Sequence, residues 1–246
     1  MSEGRHTAFV SGSGRNIGRA IARELARKGC NIVLNGLTNR TACDSVAAEI
    51  AAEGGAAIVV MGDVGDSKAV RAMADAALGR FGTVDILVNN APQRGPARPF
   101  IEMADEDWHR IIAVELHACY YLSRAFLPGM CANGWGRIVN LTGLNAIAGH
   151  PGRAHVAAAK QGLWGLTKAL ASEFGAQGVT ANALSPWRIK GDADIVEAPE
   201  TVAKFNALGR RGTLDEIAKF CAFLCSDDAA FISGQMIGVD GAAVAA

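Results

Sequence analysis

Thr7-Ala8-Phe9-Val10 runs directly into Ser11-Gly12-Ser13-Gly14-Arg15-Asn16-Ile17-Gly18, and a helical period opens at Ile17. A short apolar run, a glycine-rich turn and a helix in that order form the opening of a dinucleotide-binding βα unit. Glycines there let the chain turn tightly, bring main-chain N–H groups close to phosphate and let the helix pack on the strand. A glycine-rich turn by itself specifies only a turn. Its place between a strand and a helix makes Gly12, Arg15, Asn16, Ile17 and Gly18 candidate contacts for a pyrophosphate.

Working outward, short apolar runs alternate with longer stretches of helical period, the pattern of parallel strands joined by crossover helices. Seven strands are predicted, at 6–10, 31–35, 57–61, 84–89, 137–141, 179–184 and 236–239. Helices are predicted at 17–28, 41–52, 67–81, 105–131, 153–174 and 214–226, several closed by glycines such as Gly29, Gly54 and Gly82. The expected fold is a Rossmann-type, doubly wound α/β sheet of three layers in one domain, residues 1–246. Its ligand crevice lies at the carboxyl ends of the strands. The irregular stretch 186–199, with Trp187 and the run Lys190-Gly191-Asp192-Ala193-Asp194, is long enough to cover that crevice or to be a solvated loop.

Lys plus Arg equal Asp plus Glu at 24 each, so the net charge carries no footprint for nucleic acid or an anionic membrane. The start, MSEGRHTAFV, lacks the apolar run of a signal peptide, and no stretch reaches the roughly 20 apolar residues of a membrane span. A cytoplasmic protein with a small-molecule substrate is expected. The six cysteines contain no CxxC pair and fall mostly within predicted helices and strands, so they read as reduced thiols, and no metal site is expected.

Further phrases carry a family resemblance. The turn resembles the TGxxx(A/G)xG element of short-chain dehydrogenase/reductases, with Ser11 for Thr and Asn16 at the sixth position. Gly62-Asp63-Val64 resembles the phrase that contacts adenine. Asn89-Asn90-Ala91 resembles the NNAG phrase beside the ribose, with Pro92 for its Gly. The run from Gly209 to Gly241 resembles the family's closing segment. The resemblance implies that Asp63, Val64, Asn90, Ala91, Lys160, Pro186 and Ile189 join the glycine turn in holding a nicotinamide dinucleotide. It also implies a homotetramer or homodimer built on the helices at 105–131 and 153–174 and the last strand.

Charge at the end of the second strand selects the dinucleotide. A carboxylate there bonds the ribose hydroxyls of NAD and repels a 2′-phosphate. This chain has Asn35-Gly36-Leu37-Thr38-Asn39-Arg40, with Arg15 in the turn, so NADP is expected, with NAD as the alternative. On this reading Gly36→Asp shifts the preference toward NAD.

The catalytic positions depart from the family. Its Tyr and Lys stand four apart on one helix, and here Lys160 is preceded by Val156. The family's serine falls on Gly143 and its helper asparagine on Glu115; the Pro-Gly-x-(Val/Ile)-x-Thr phrase becomes Pro186-Trp187-Arg188-Ile189-Lys190-Gly191. Lys160 and Glu115 form either an acid–base couple or a charge-neutralising pair. His150 is a substitute proton donor on the pocket loop, whereas His155, about 100° around the helix from Val156, reads as peripheral. The peroxisomal type of 2,4-dienoyl-CoA reductase is similar in lacking the tyrosine and carrying an acid at the Glu115 position, which implies reduction of a conjugated double bond. Three readings stand: an NADP-dependent oxidoreductase with an altered proton-transfer site, a non-redox lyase, isomerase or hydratase, and a non-catalytic binding protein.

Overall fold

Strands buried on both faces need helices on both sides, and the core residues alternate accordingly. A computed structural model describes residues 5–93, 95–144, 148–192 and 206–243. The strands are β1 (Thr7–Val10), β2 (Asn31–Gly36), β3 (Ala57–Met61), β4 (Ile86–Asn89), β5 (Gly136–Leu141), β6 (Val179–Pro186) and β7 (Met236–Val239). They form one parallel sheet in the order β3-β2-β1-β4-β5-β6-β7. The order reverses between β1 and β4, which opens a crevice at their carboxyl ends.

Ala8, Val10, Ile32, Leu34, Ile86 and Val88 face one side, against Ile21 and Leu25 of α1 (Asn16–Arg27) and Ile217 of a later helix. Phe9, Val33, Leu87 and Ile138 face the other, against Met73 of α3 (Ser67–Phe81) and Leu122 and Phe126 of a crossover helix. This is the expected three-layer α/β arrangement. The remaining helices are α2 (Arg40–Ala52), α4 (Asp105–Ile112), α5 (Ala118–Asn133), α6 (Ala154–Phe174) and α7 (Leu214–Leu224). Thr213 and Glu216 close a capping box at the start of α7, which fixes where that helix begins.

Two differences from the sequence reading have physical causes. The regular strand within 84–89 is Ile86–Asn89: the Asp85 backbone already bonds to Thr7 and Arg137, but its carboxylate takes the Thr7 N–H at 2.9 Å and the Thr83 hydroxyl at 2.9 Å, which ends the ladder there. The helix expected at 105–131 is interrupted by a π turn, Ala113–His117, whose closing bond runs from the Ala118 N–H to the Ala113 carbonyl. All six cysteines are free thiols. No helix among the described residues is long and apolar enough to cross a membrane.

Candidate active site

The turn after β1 is held from below by Asn35, a fully enclosed side chain at the end of β2 that the sequence reading did not single out. Its Oδ1 accepts the Gly12 N–H at 3.2 Å, and its Nδ2 donates to the carbonyls of Val60 and Gly62 at 3.3 and 3.2 Å. One side chain thus ties the turn to the ends of β2 and β3. Ser11 replaces a threonine without losing its function as an acceptor: its Oγ takes the N–H groups of Asn90 and Ala91 at 2.8 and 3.0 Å. The Asn90 amide donates back to the Ser11 and Gly12 carbonyls at 2.8 and 3.1 Å. A Cβ on Gly18 would lie 2.4 Å from the Asn90 amide nitrogen, so this approach is open only to glycine.

Asn16 sits at φ +48°, a left-handed conformation that asparagine tolerates better than most side chains. Its N–H donates to the Asp192 carboxylate at 2.8 Å, and the Asp192 N–H returns a bond to the Asn16 Oδ1 at 2.9 Å. Ile17 is half-buried beside it, and Arg15 is exposed. Arg40, which ends the stretch after β2, lies 3.5 Å from Asp44. A Cβ on Gly36 would stand 2.7 Å from the Cys43 sulfur, so Gly36→Asp does not fit without displacing that buried thiol. The expected switch toward NAD by that single change therefore requires the Cys43 side chain to move aside.

The Asp63 carboxylate receives the Gly65 N–H at 2.8 Å and a salt bridge from Arg110, while Val64 is buried. Burial pushes the Asp63 carboxyl up, but the Arg110 guanidinium and the Gly65 N–H outweigh it and hold it below the ordinary aspartate range.

At the other end of the crevice the π turn aims Glu115 inward. Its side chain is 5 % exposed; one oxygen accepts the Gln93 N–H at 2.7 Å and the other contacts the Lys160 ammonium. Lys160 also donates to the Leu141 carbonyl at 2.8 Å from the end of β5. π turns interrupt helices chiefly where a functional side chain must be re-aimed. The contact sets a carboxylate against an ammonium, so each charge is balanced where both side chains are buried. Beneath them lies a cavity of about 10 Å³ lined by Ser11, Asn89, Glu115 and Cys119, room for about one water. The Asn89 Oδ1 at its wall has no hydrogen-bond partner. Burial pushes the Cys119 thiol up to about 12, which removes it as a nucleophile at neutral pH.

Val156 is 7 % exposed and packs with Ile111 and Ala159, so the place four residues before Lys160 belongs to an apolar cluster. Gly143 adopts φ +157°, and a Cβ there would meet only the Pro186 carbonyl, at 3.8 Å. His150 is exposed and stacks on Trp187, rings parallel within 4° and centroids 6.0 Å apart. Pro186 closes β6, and Ile189 bridges to Gly212. Glu115 and Lys160 are therefore brought together, and His150 is joined to Trp187. His155, read as peripheral, is fully buried, and neither ring nitrogen has a hydrogen-bond partner. The part of the loop at 193–199 lies outside the described residues. Among the described residues no group of three His, Cys, Asp or Glu could hold a metal ion.

Comparison with known proteins agrees with this geometry. A family model described as enoyl-(acyl carrier protein) reductase matches residues 12–242. A 3-oxoacyl-[acyl-carrier-protein] reductase of Synechocystis sp. is 38% identical over 240 residues, 96% of each chain. The corresponding reductase of Pseudomonas aeruginosa is 37% identical over 248 residues, 98% of each chain. A cyclohexanol dehydrogenase of Acinetobacter sp. is 35% identical over 237 residues, 96% of this chain and 93% of its own. With the strand order, the glycine turn and matches along nearly its whole length, the chain belongs to the short-chain dehydrogenase/reductase family.

Proposed function

We propose that this protein is an NADP(H)-dependent oxidoreductase acting on a small-molecule carbonyl or enoyl substrate, with the Glu115–Lys160 pair as its proton-handling centre. The contact between Glu115 and Lys160 beneath the Leu141 carbonyl carries the reading, because it places a proton donor and a proton acceptor together in the family's crevice. Residues around the glycine turn fit the dinucleotide: the backbone from Gly12 to Gly18 approaches Asn90 closely, and Arg15, the residue ahead of α1, supplies no side-chain cap of its own. Gly12, Arg15, Asn16, Ile17 and Gly18 would hold the pyrophosphate, Asp63 and Val64 the adenine, and Asn90, Ala91, Lys160, Pro186 and Ile189 the ribose and nicotinamide. When bound, the dinucleotide supplies or accepts a hydride.

NADP is favoured because the end of β2 presents Gly36 and the exposed Leu37 rather than a carboxylate, and because Arg15 is an exposed guanidinium beside the turn. The relatives are named for reduction of a 3-oxoacyl group and oxidation of a cyclic alcohol, so carbonyl–alcohol interconversion is the nearest chemistry. Neither Val156 nor Gly143 can donate a proton to a carbonyl oxygen, and simple ketones should be poor substrates. Lys160 can deliver a proton and Glu115 can restore it, which suits an activated or conjugated acceptor.

The test is a panel of 3-oxoacyl and enoyl thioesters, ketones and alcohols, assayed with NADPH and NADP, followed by Glu115→Gln on whatever substrate turns over. Glu115→Gln keeps the shape and removes the ionisable group. We expect turnover to fall about 10²–10⁴-fold with dinucleotide affinity retained. Unchanged turnover would remove Glu115 from the chemistry and leave the ion pair a neutralising contact.

A further inference from the structure

We propose that Asp192 is a built-in occupant of the anion site at the start of α1, a latch that the pyrophosphate of a dinucleotide must displace. The inference rests on the dinucleotide reading above and adds a competitor for that ligand from within the chain.

The first N–H groups of a helix have no partner inside it, and together with the helix dipole they attract an anion. In α1 the residue ahead of the helix, Arg15, supplies no side-chain cap. The anion comes from 176 residues away: the Asp192 carboxylate accepts the Asn16 N–H at 2.8 Å. The contact is reciprocal, since the Asn16 Oδ1 accepts the Asp192 N–H at 2.9 Å. Two bonds in opposite senses fix an orientation that one would leave free.

Two departures from the family pattern meet at this point. Asn16 stands at the turn's sixth position, where the pattern has Ala or Gly, and Gly191 stands where the pattern has Thr. A Cβ on residue 191 would lie 2.8 Å from the Asn16 Oδ1, so the asparagine side chain and a threonine cannot share the space in this arrangement. Asn16 supplies the acceptor for the latch, and Gly191 supplies the room. The base of the loop is anchored, because the Lys190 N–H donates to the Gly212 carbonyl at 2.8 Å and Ile189 bridges to Gly212. Asp192 is thus presented to the helix end two residues beyond this anchor. A pyrophosphate seeking the same N–H groups meets a carboxylate already bonded there, and two anions do not share the site.

Calorimetric titration of wild type, Asp192→Ala and Gly191→Thr with NADP and with inorganic pyrophosphate tests the latch. It is paired with amide hydrogen exchange over residues 11–20 before ligand is added. Loss of one charge-assisted bond should let both variants bind about tenfold more tightly than wild type. Exchange at the turn should be faster in Asp192→Ala. If wild type binds NADP and neither variant gains affinity, the latch is overturned and the dinucleotide reading stands. If none of the three proteins binds NADP or pyrophosphate while exchange still rises in Asp192→Ala, the dinucleotide reading falls and the contact stands.

Discussion

The two ends of the crevice depart from the family pattern by similar amounts and with opposite consequences. At the glycine turn, Ser11 and Asn16 are both substitutions, yet the Ser11 Oγ still gathers the Asn90 and Ala91 N–H groups and Asn16 adopts the left-handed turn. The groups proposed to meet a phosphate there belong to the backbone, and a side chain can change so long as the path of the chain does not. On the proposed reading the family's chemistry around Lys160 belongs to hydroxyl groups, and the side chains of Val156 and Gly143 carry none. A site made of backbone survives substitution, whereas a site made of side chains is rebuilt or lost.

The largest expected effect lies at the rebuilt end. Glu115→Ala leaves the Lys160 ammonium, 12 % exposed, without its carboxylate and the Gln93 N–H without its acceptor. Breaking a buried pair from one side costs about 3–5 kcal/mol, which urea unfolding at pH 7 should read as a lower midpoint. A loss below about 1 kcal/mol would mean that water already screens the pair, and the contrast between the two ends would weaken.

A smaller effect is expected from Val156→Tyr combined with Gly143→Ser, which restores the missing hydroxyls. The phenol must enter the cluster of Ile111, Val156 and Ala159, and overpacking of that kind costs about 1–3 kcal/mol. The serine finds open space for its Cβ but must adopt φ +157°, a conformation that side chains resist. The double variant should therefore be less stable than wild type and gain little ketone reduction. Efficient ketone reduction at unchanged stability would show that the cluster yields easily and that only the hydroxyls were missing.

The smallest effects separate the two arginines of the backbone end. Arg15→Ala should weaken NADP binding about tenfold and leave NAD unchanged, since one charge-assisted contact to the 2′-phosphate is removed. Arg40→Ala should change either affinity by about twofold or less, because an exposed pair such as Arg40–Asp44 is worth little. Equal responses in calorimetry would place the 2′-phosphate between the two and undo the assignment to Arg15.

The fold class was legible because β3, α3 and β7 carry their boundaries in local pattern, and alternating strands and helices require a parallel sheet covered on both faces; the strand order itself was not. The interruption at Ala113–His117 was not, since a π turn changes the hydrogen-bond partner without altering the apolar spacing around it. Glu115 and Lys160 could be paired through the motif spacing. Asn35 could not: it read as part of a strand end, and its bonds to Gly12, Val60 and Gly62 appear only when β1, β2 and β3 lie side by side. The burial of His155 was not legible either, because helical angle says nothing of the loop at Gly95, whose added Cβ would be 3.2 Å from its ring. The Asn16–Asp192 contact joins residues that share no local signal.

The π turn also makes the crossover between β4 and β5 sensitive to chain length. A helix advances about 100° per residue, and the extra residue in Ala113–His117 sets the phase between α4, which carries Ile111, and α5, which carries Leu122 and Phe126. Deleting one residue there would swing either the carboxylate of Glu115 or the apolar stripe of α5 out of place, whatever its identity. Residue count, as much as residue type, is then a heritable property of this segment, and an insertion or deletion is felt by the whole crossover at once.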